Sequence, residues 1–358
     1  MPTVCVNQSG CHIRISGERL EVFGPDPESN EVHGVVREKL LREIPLRDVD
    51  RLIMGDSTHV TTPAMSAMLE AGVAIQIFSW SGRCLGSFLP AQNKHGSARL
   101  LQYRRTLDSD FALNISRRLI HAKLYNQRRL IQRVGAARGQ LREPESAPTL
   151  QGPPSVGSLR YTLAWLDSLF QSIGKASSID ELRGYEGAAT ARYFQAWATF
   201  LPADFAFERR STRPPLNAVN ACISFGSTLI YNEMVGFLHG HGLDPALGLL
   251  HATEDGRWSL ALDLMEPFRP VFVEALALDL FSHQILGNDA FEARDGGVYL
   301  NEIGRRKFFI QYERRLERQF MSEALGHRTT LRQQIENQAI AYKSSMDSPS
   351  GFEPFLMN

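Results

Sequence analysis

Two acids, Asp263 and Glu266, stand three residues apart in SLALDLMEPFRP, so one helical face carries both. Leu and Met surround them, which turns that face inward. Burying two carboxylates there requires a cation or a base to compensate. Arg269, three residues after Glu266, is one candidate, and a metal is the other. Glu186 lies between small residues in RGYEGAA, where Gly184, Gly187 and Ala188 leave room for something to approach the backbone. His251 closes the apolar run LGLLHA near a helix end. Each fragment also has a plain structural reading: a solvent-facing Glu, a hydrogen-bonded core His, and an acid paired with Arg269. Taken together they offer oxygen donors with one imidazole. That set suits Mg²⁺ or Mn²⁺ better than Zn²⁺, and it suits phosphoryl transfer.

The charge pattern bears on the substrate. Net charge is +0, yet eleven Lys or Arg face only Asp108 and Asp110 between Arg99 and Arg142. Candidate phosphate contacts are Arg104 and Arg105 in that stretch, Arg209, Arg210 and Arg213 before a Pro-Pro pair, and Arg305 and Arg306 in a late helix. Contacts of this kind position a duplex without reading its sequence.

Those residues need scaffolding. With 358 residues, 43% of them hydrophobic and 22% charged, the chain has ordinary globular composition. No apolar run is long enough for a transmembrane helix, and the start lacks the pattern of a secretory signal, so a cytoplasmic protein is expected. The four cysteines (Cys5, Cys11, Cys84, Cys222) form no CxxC pair and read as reduced, mostly buried thiols.

The first ninety or so residues read as β-rich. Ile13–Ser16 and Leu20–Phe23 alternate about Gly17 as a hairpin, and 51–55 and 73–78 are short buried strands. A short helix opens at Thr62-Pro63 and stops at Gly72. From about Ser97 the periodicity is helical, over about 97–140, 158–174, 179–199, 215–240, 258–284 and 301–323. A loop falls at about 143–157 and a small hairpin at 291–300, while Pro267 and Pro270 bend or interrupt their helix. The expected architecture is α+β: a β-rich domain over 1–92, a larger α-helical catalytic domain over 97–343, and a loose tail over 344–358.

In order along the chain, RGYEGAATARYFQAW, PPLNAVNACISFGSTLIYNEM, LGLLHA and SLALDLMEPFRPVFVEALALDLF resemble the integrase of CRISPR adaptation, the first of the CRISPR-associated protein families. The likeness extends into GVYLNEIGRRKFFIQYERRLE and into the early segments SGERLEVFG and HVTTPAMSAMLEAGVAIQIFS. It covers nearly the whole chain apart from the 143–157 loop and the tail.

The resemblance implies a metal-dependent endonuclease and integrase, with metal ligands falling on Glu186, His251 and Glu266; the last acid is Asp in some members. It implies an auxiliary place for Asp263, and for Asn217 and Asn220 a part in shaping the site. It also implies a homodimer formed through the β domains, a smaller second adaptation subunit as partner, and double-stranded DNA as substrate. The 3′-hydroxyl ends of a short foreign fragment would attack the array by transesterification. A non-catalytic DNA-binding scaffold of the same fold is the alternative.

Overall fold

A computed structural model describes residues 3–6, 8–26, 38–79, 84–90, 95–141 and 159–357. The chain divides into two compact units, Met1–Gly96 and Ser97–Asn358.

The first unit holds β1 (Thr3–Val6), β2 (His12–Ser16), β3 (Arg19–Pro25), β4 (Glu38–Pro45), β5 (Arg51–Gly55), β6 (His59–Val60), α1 (Thr62–Glu70), β7 (Ala74–Phe78) and β8 (Cys84–Phe88). Two four-stranded sheets run in the orders β4-β3-β2-β6 and β1-β5-β7-β8. The β2–β3 hairpin is antiparallel, and Gly17 turns it at a φ of 59° that side chains rarely adopt. Alternation buries Ile13, Leu20 and Val22, which join Leu52, Ile75 and Met68 of α1 in one core. Strands β1, β5 and β7 pair in parallel.

The second unit is mainly helical: α2 (Gly96–Thr106), α3 (Ser109–Ala137), α4 (Leu159–Lys175), α5 (Ile179–Ala198), α6 (Ala218–Gly240), α7 (Ser259–Met265) and α8 (Ala275–Ser282). Then come the hairpin β9 (Phe291–Arg294) and β10 (Gly297–Leu300), α9 (Glu302–Glu317), a second hairpin of β11 (Phe320–Ser322) and β12 (His327–Thr329), and α10 (Leu331–Ser345). An apolar core including Leu119, Tyr193, Trp197, Ile230, Leu264 and Phe272 joins them. Among the described residues no helix is long and apolar enough to cross a membrane. Cys11 and Cys222 are free, buried thiols, and burial pushes both thiol pKa values up.

Two helical expectations change, and the interruption expected at Pro267 and Pro270 is present. The helix expected over about 97–140 is two, because Asp108 caps α3 by accepting the Phe111 N–H at 3.0 Å and leaves Leu107 exposed at the joint. The helix expected over 258–284 is broken by its prolines. Proline has no N–H to return to the preceding turn, so α7 stops at Met265 and a π-helical turn over Arg269–Glu274 leads into α8. The helix expected over 301–323 stops at Glu317, and the β11–β12 hairpin follows. The 143–157 loop lies outside the described residues.

The end of the chain also differs from the expected loose tail over 344–358. Phe352 is fully buried, and Phe355 stacks on Phe268 at 4.9 Å. Asn126 of α3 donates to the Phe355 carbonyl at 3.0 Å and accepts the Met357 N–H at 2.7 Å. The Ser, Pro and Gly content of the segment disguised two apolar anchors, Phe352 and Phe355.

Arg332 of α10 gathers Glu233 of α6 at 2.9 Å with Glu313 and Glu317 of α9 at 2.7 and 2.6 Å, so one guanidinium ties three helices.

Candidate metal centre

Helix α5 begins at a Ser178 cap that accepts the Glu181 N–H at 3.2 Å, with Asp180 and Glu181 in its first turn. Two turns on it carries Glu186. A Cβ added to Gly184 or Gly187 would meet nothing within 4 Å, so the protein's own packing does not require either glycine and the helix surface beside Glu186 is bare.

Glu266 directly follows α7 and is buried. Its position is fixed from α3, where Asn126 donates to the carbonyl of neighbouring Pro267 at 2.7 Å.

His251 sits on the loop between α6 and α7, and Asp263 builds that loop. The buried Asp263 carboxylate accepts the backbone N–H groups of Leu249, Leu250 and His251 at 2.7, 3.0 and 3.0 Å. It also accepts His251 Nδ1–H at 2.5 Å. A carboxylate only accepts, so Nδ1 carries the proton and Nε2 is the nitrogen left for a ligand. Arg183 of α5 clamps the same loop through the Leu250 carbonyl, at 2.6 and 3.1 Å. Gly248 makes the turn possible, because a Cβ there would collide with the His251 carbonyl oxygen and Ser259 Cβ.

Lys123 of α3 joins the two glutamates. Its side chain is only 6% exposed, and its Nζ lies 2.5 Å from Glu186 Oε1 and 2.6 Å from Glu266 Oε2. Glu186 Oε1 also accepts from the Thr190 hydroxyl at 2.9 Å. Glu266 Oε1 accepts from Arg269 at 2.8 Å, whereas its buried Oε2 has no aligned hydrogen bond despite the nearby ammonium.

Burial alone would raise the Glu266 carboxyl, but Arg269 and then Lys123 outweigh it and hold it at about 2. Burial likewise opposes ionisation of Glu186, and Lys123 reverses the balance, so this carboxyl is also lowered. Burial would depress the Lys123 ammonium, yet Glu266 and Glu186 together raise it. For His251, burial pulls downward, and the hydrogen bond and charge of Asp263 together with the charge of Glu266 more than offset it, so the imidazole is raised. Glu266 and His251 each feel the other's charge, which places the imidazole in the same electrostatic neighbourhood.

The structure thus brings Glu186 and Glu266 together across Lys123 and sets His251 beside them on Asp263. Among the described residues no three of His, Cys, Asp and Glu stand ready to hold a metal ion as they are.

Asn217 and Asn220 do other work. Asn217 caps α6 by accepting the Asn220 N–H at 2.8 Å, and buried Asn220 binds Arg210 at 2.8 Å and the Arg209 carbonyl at 3.0 Å. None of these bonds reaches Glu186, His251 or Glu266.

The arginines divide into two groups. Arg104, Arg209, Arg213 and Arg306 are exposed. Arg105 donates to the Met346 carbonyl and Asp108, Arg210 to Asn220 and Ser224, and Arg305 to the Leu300 carbonyl. Those three hold the fold together.

Sequence reasoning missed Lys123. One signal was present: it is the only Lys among the eleven basic residues between Arg99 and Arg142, and it sits in the apolar setting Ala122–Leu124. A compact ammonium suits a narrow gap between carboxylates better than a forked guanidinium.

Residues 4–314 match the family model for CRISPR associated protein Cas1. The chain belongs to the Cas1 family. It is 31% identical over 322 residues to a CRISPR-associated endonuclease Cas1 of Thermus thermophilus, covering 90% of each chain. Among solved structures it resembles a casposase bound to its integration product, with a TM-score of 0.75 and 20% identity over 98% of this chain and 91% of that one. It also resembles a chain of a partial Cas6-RT-Cas1–Cas2 complex, with a TM-score of 0.71 and 24% identity over 100% of both. At those identities the structural likeness establishes the fold, and the family rests on the sequence matches. The Cas1 match takes in every element that carries Lys123, Glu186, His251, Asp263 and Glu266.

Proposed function

We propose that this Cas1-family chain is a metal-dependent DNA endonuclease and integrase that inserts short fragments into a CRISPR array through their 3′-hydroxyl ends. The observation that carries this reading is the convergence of Glu186 and Glu266, with His251 beside them, on one buried cation position. The donor chemistry fits Mg²⁺ or Mn²⁺: two carboxylates kept ionised, one unaligned carboxylate oxygen on Glu266, and a histidine whose outer nitrogen is left for a ligand. Glu186, Glu266 and His251 Nε2 would hold the ion. When bound it would supply Lewis-acid stabilisation of charge at the phosphate and at the attacking and leaving oxygens.

The chain's own residues do the rest. Asp263 fixes the tautomer and direction of His251. Arg269 holds one oxygen of Glu266 and leaves the other for the site. The bare surface of α5 at Gly184 and Gly187 admits a sugar-phosphate backbone close to Glu186. Exposed Arg104, Arg209, Arg213 and Arg306 supply phosphate contacts.

Double-stranded DNA, a second copy of the chain paired through the β-rich unit, and the smaller second adaptation subunit complete the working assembly. A casposase bound to an integration product and a complex containing Cas1 and Cas2 support the DNA and the second subunit, while the pairing rests on the resemblance to the family.

The test is joining of a labelled fragment with free 3′-hydroxyl ends to a supercoiled plasmid bearing the repeat, with the second subunit and Mg²⁺ or Mn²⁺ present. Glu186→Ala, His251→Ala and Glu266→Ala should each abolish joining while leaving DNA binding intact. Near-wild-type joining by all three variants would sink the proposal. A wild-type protein that binds duplex DNA yet never nicks or joins it with either metal is instead a non-catalytic scaffold.

A further inference from the structure

Resting on the metal-dependent reading above, we propose that Lys123 is an exchangeable cation. Its ammonium keeps the space between Glu186 and Glu266 until a divalent ion binds, and its side chain then leaves both carboxylates.

Three observations lead there. First, Lys123 Nζ sits at 2.5 and 2.6 Å from one oxygen of each glutamate, so an ion bound by both would need the volume the ammonium fills. This accounts for three ligands that share a neighbourhood without forming a ready metal cluster. Second, the Lys123–Glu266 contact is close but not aligned as a hydrogen bond, and each glutamate keeps another donor, Thr190 or Arg269. Losing Lys123 therefore leaves neither carboxylate bare.

Third, charge balance favours exchange. With His251 neutral, as a metal ligand must be, Glu186, Glu266, Asp263 and the buried Glu274 are set against Lys123, Arg269 and Arg210, which leaves one negative charge in a mostly buried site. A divalent ion added beside Lys123 would leave one positive charge there instead, whereas an ion replacing Lys123 leaves none. Lysine suits this part because its charge rides on a flexible four-carbon stem.

Exchange exposes the amine, and that can be read on the wild-type, full-length protein. Acetylation by an N-hydroxysuccinimide ester is followed by peptide mass spectrometry with and without saturating Mn²⁺, with exposed Lys39 as the internal standard. Lys123 should be protected without metal and labelled several-fold more with it. Labelling that stays the same or falls on adding Mn²⁺ overturns the proposal.

A second arm measures Mn²⁺ affinity by electron paramagnetic resonance of the free ion. Lys123→Met, which keeps an unbranched side chain one atom shorter and removes the charge, should bind Mn²⁺ at least about tenfold more tightly than wild type, since the ion no longer competes. Equal or weaker binding by this variant, with Glu186→Gln losing binding, overturns the exchange and leaves the metal centre standing. If Glu186→Gln, Glu266→Gln and His251→Ala all bind Mn²⁺ like wild type, the metal centre itself fails and takes the exchange with it.

Discussion

The Asp263 carboxylate holds His251 twice, by the ring Nδ1–H at 2.5 Å and by the backbone N–H at 3.0 Å. The first bond sets which ring nitrogen faces a ligand, and the second sets where the ring stands. Asp263→Asn keeps the shape but offers one acceptor oxygen in place of two. Mn²⁺ affinity and strand joining should each fall by about 10–100-fold, as they do when the group behind a metal-bound histidine is removed. Titration of the variant with Mn²⁺ checks this, and wild-type affinity would remove Asp263 from the site.

DNA contacts should be separable from structural arginines. Removing one phosphate-binding side chain lowers the slope of log affinity against log salt by about one. Arg209→Ala, Arg213→Ala and Arg306→Ala should each do so with unchanged thermal midpoints, because these side chains are exposed. Arg210→Ala should instead lower the midpoint, since it deprives Asn220 and Ser224 of their partner. Fluorescence anisotropy across a salt series, paired with thermal scans, distinguishes the two groups.

Asn126 serves two segments at once. Its amide donates to the Pro267 and Phe355 carbonyls, and its oxygen accepts the Met357 N–H. Asn126→Ala leaves these groups short of partners at a cost of about 1–3 kcal/mol for each that is buried. Denaturant unfolding should show that destabilisation, and limited proteolysis should cut the C-terminal segment sooner. Unchanged stability would mean the segment is anchored by Phe352 and Phe355 alone.

The Arg332 cluster carries a pH dependence. Burial raises the Glu313 carboxyl from 4.5 to about 7, against the pull of Arg332. The folded protein therefore binds this proton more tightly than the unfolded chain does. Stability from that preference is full below about 4.5 and is lost as pH rises through about 7. Glu313→Gln removes the titration. Its denaturation midpoint relative to wild type should rise steadily between pH 4.5 and 7 and then level off. A pH-independent difference would overturn the assignment.

Local signals in the sequence were sufficient where one residue decides the outcome. Gly17 turns the β2–β3 hairpin, and Pro63 and Gly72 bracket α1. The acids Asp263 and Glu266 do share a buried turn. What stayed hidden was set by partners distant in the chain. Lys123 looked like one more basic residue on a basic helix until α5 and α7 brought carboxylates to it. Asp263 was legible as a buried acid, but its task depends on a loop folding over it. Helix α10 carried a readable start, the Thr330-Gln333 capping box, which the neighbouring loop-like composition obscured.

Gly248 touches no substrate and offers no donor, yet the His251 loop closes only because that position has no side chain. Any replacement there would push the histidine's own carbonyl aside and loosen the grip of Asp263 on three consecutive amides. Random mutagenesis scored by DNA joining should therefore find inactivating changes at a position that no inventory of chemical groups would nominate. The tolerance of this chain to drift is bounded there by the shape of a turn.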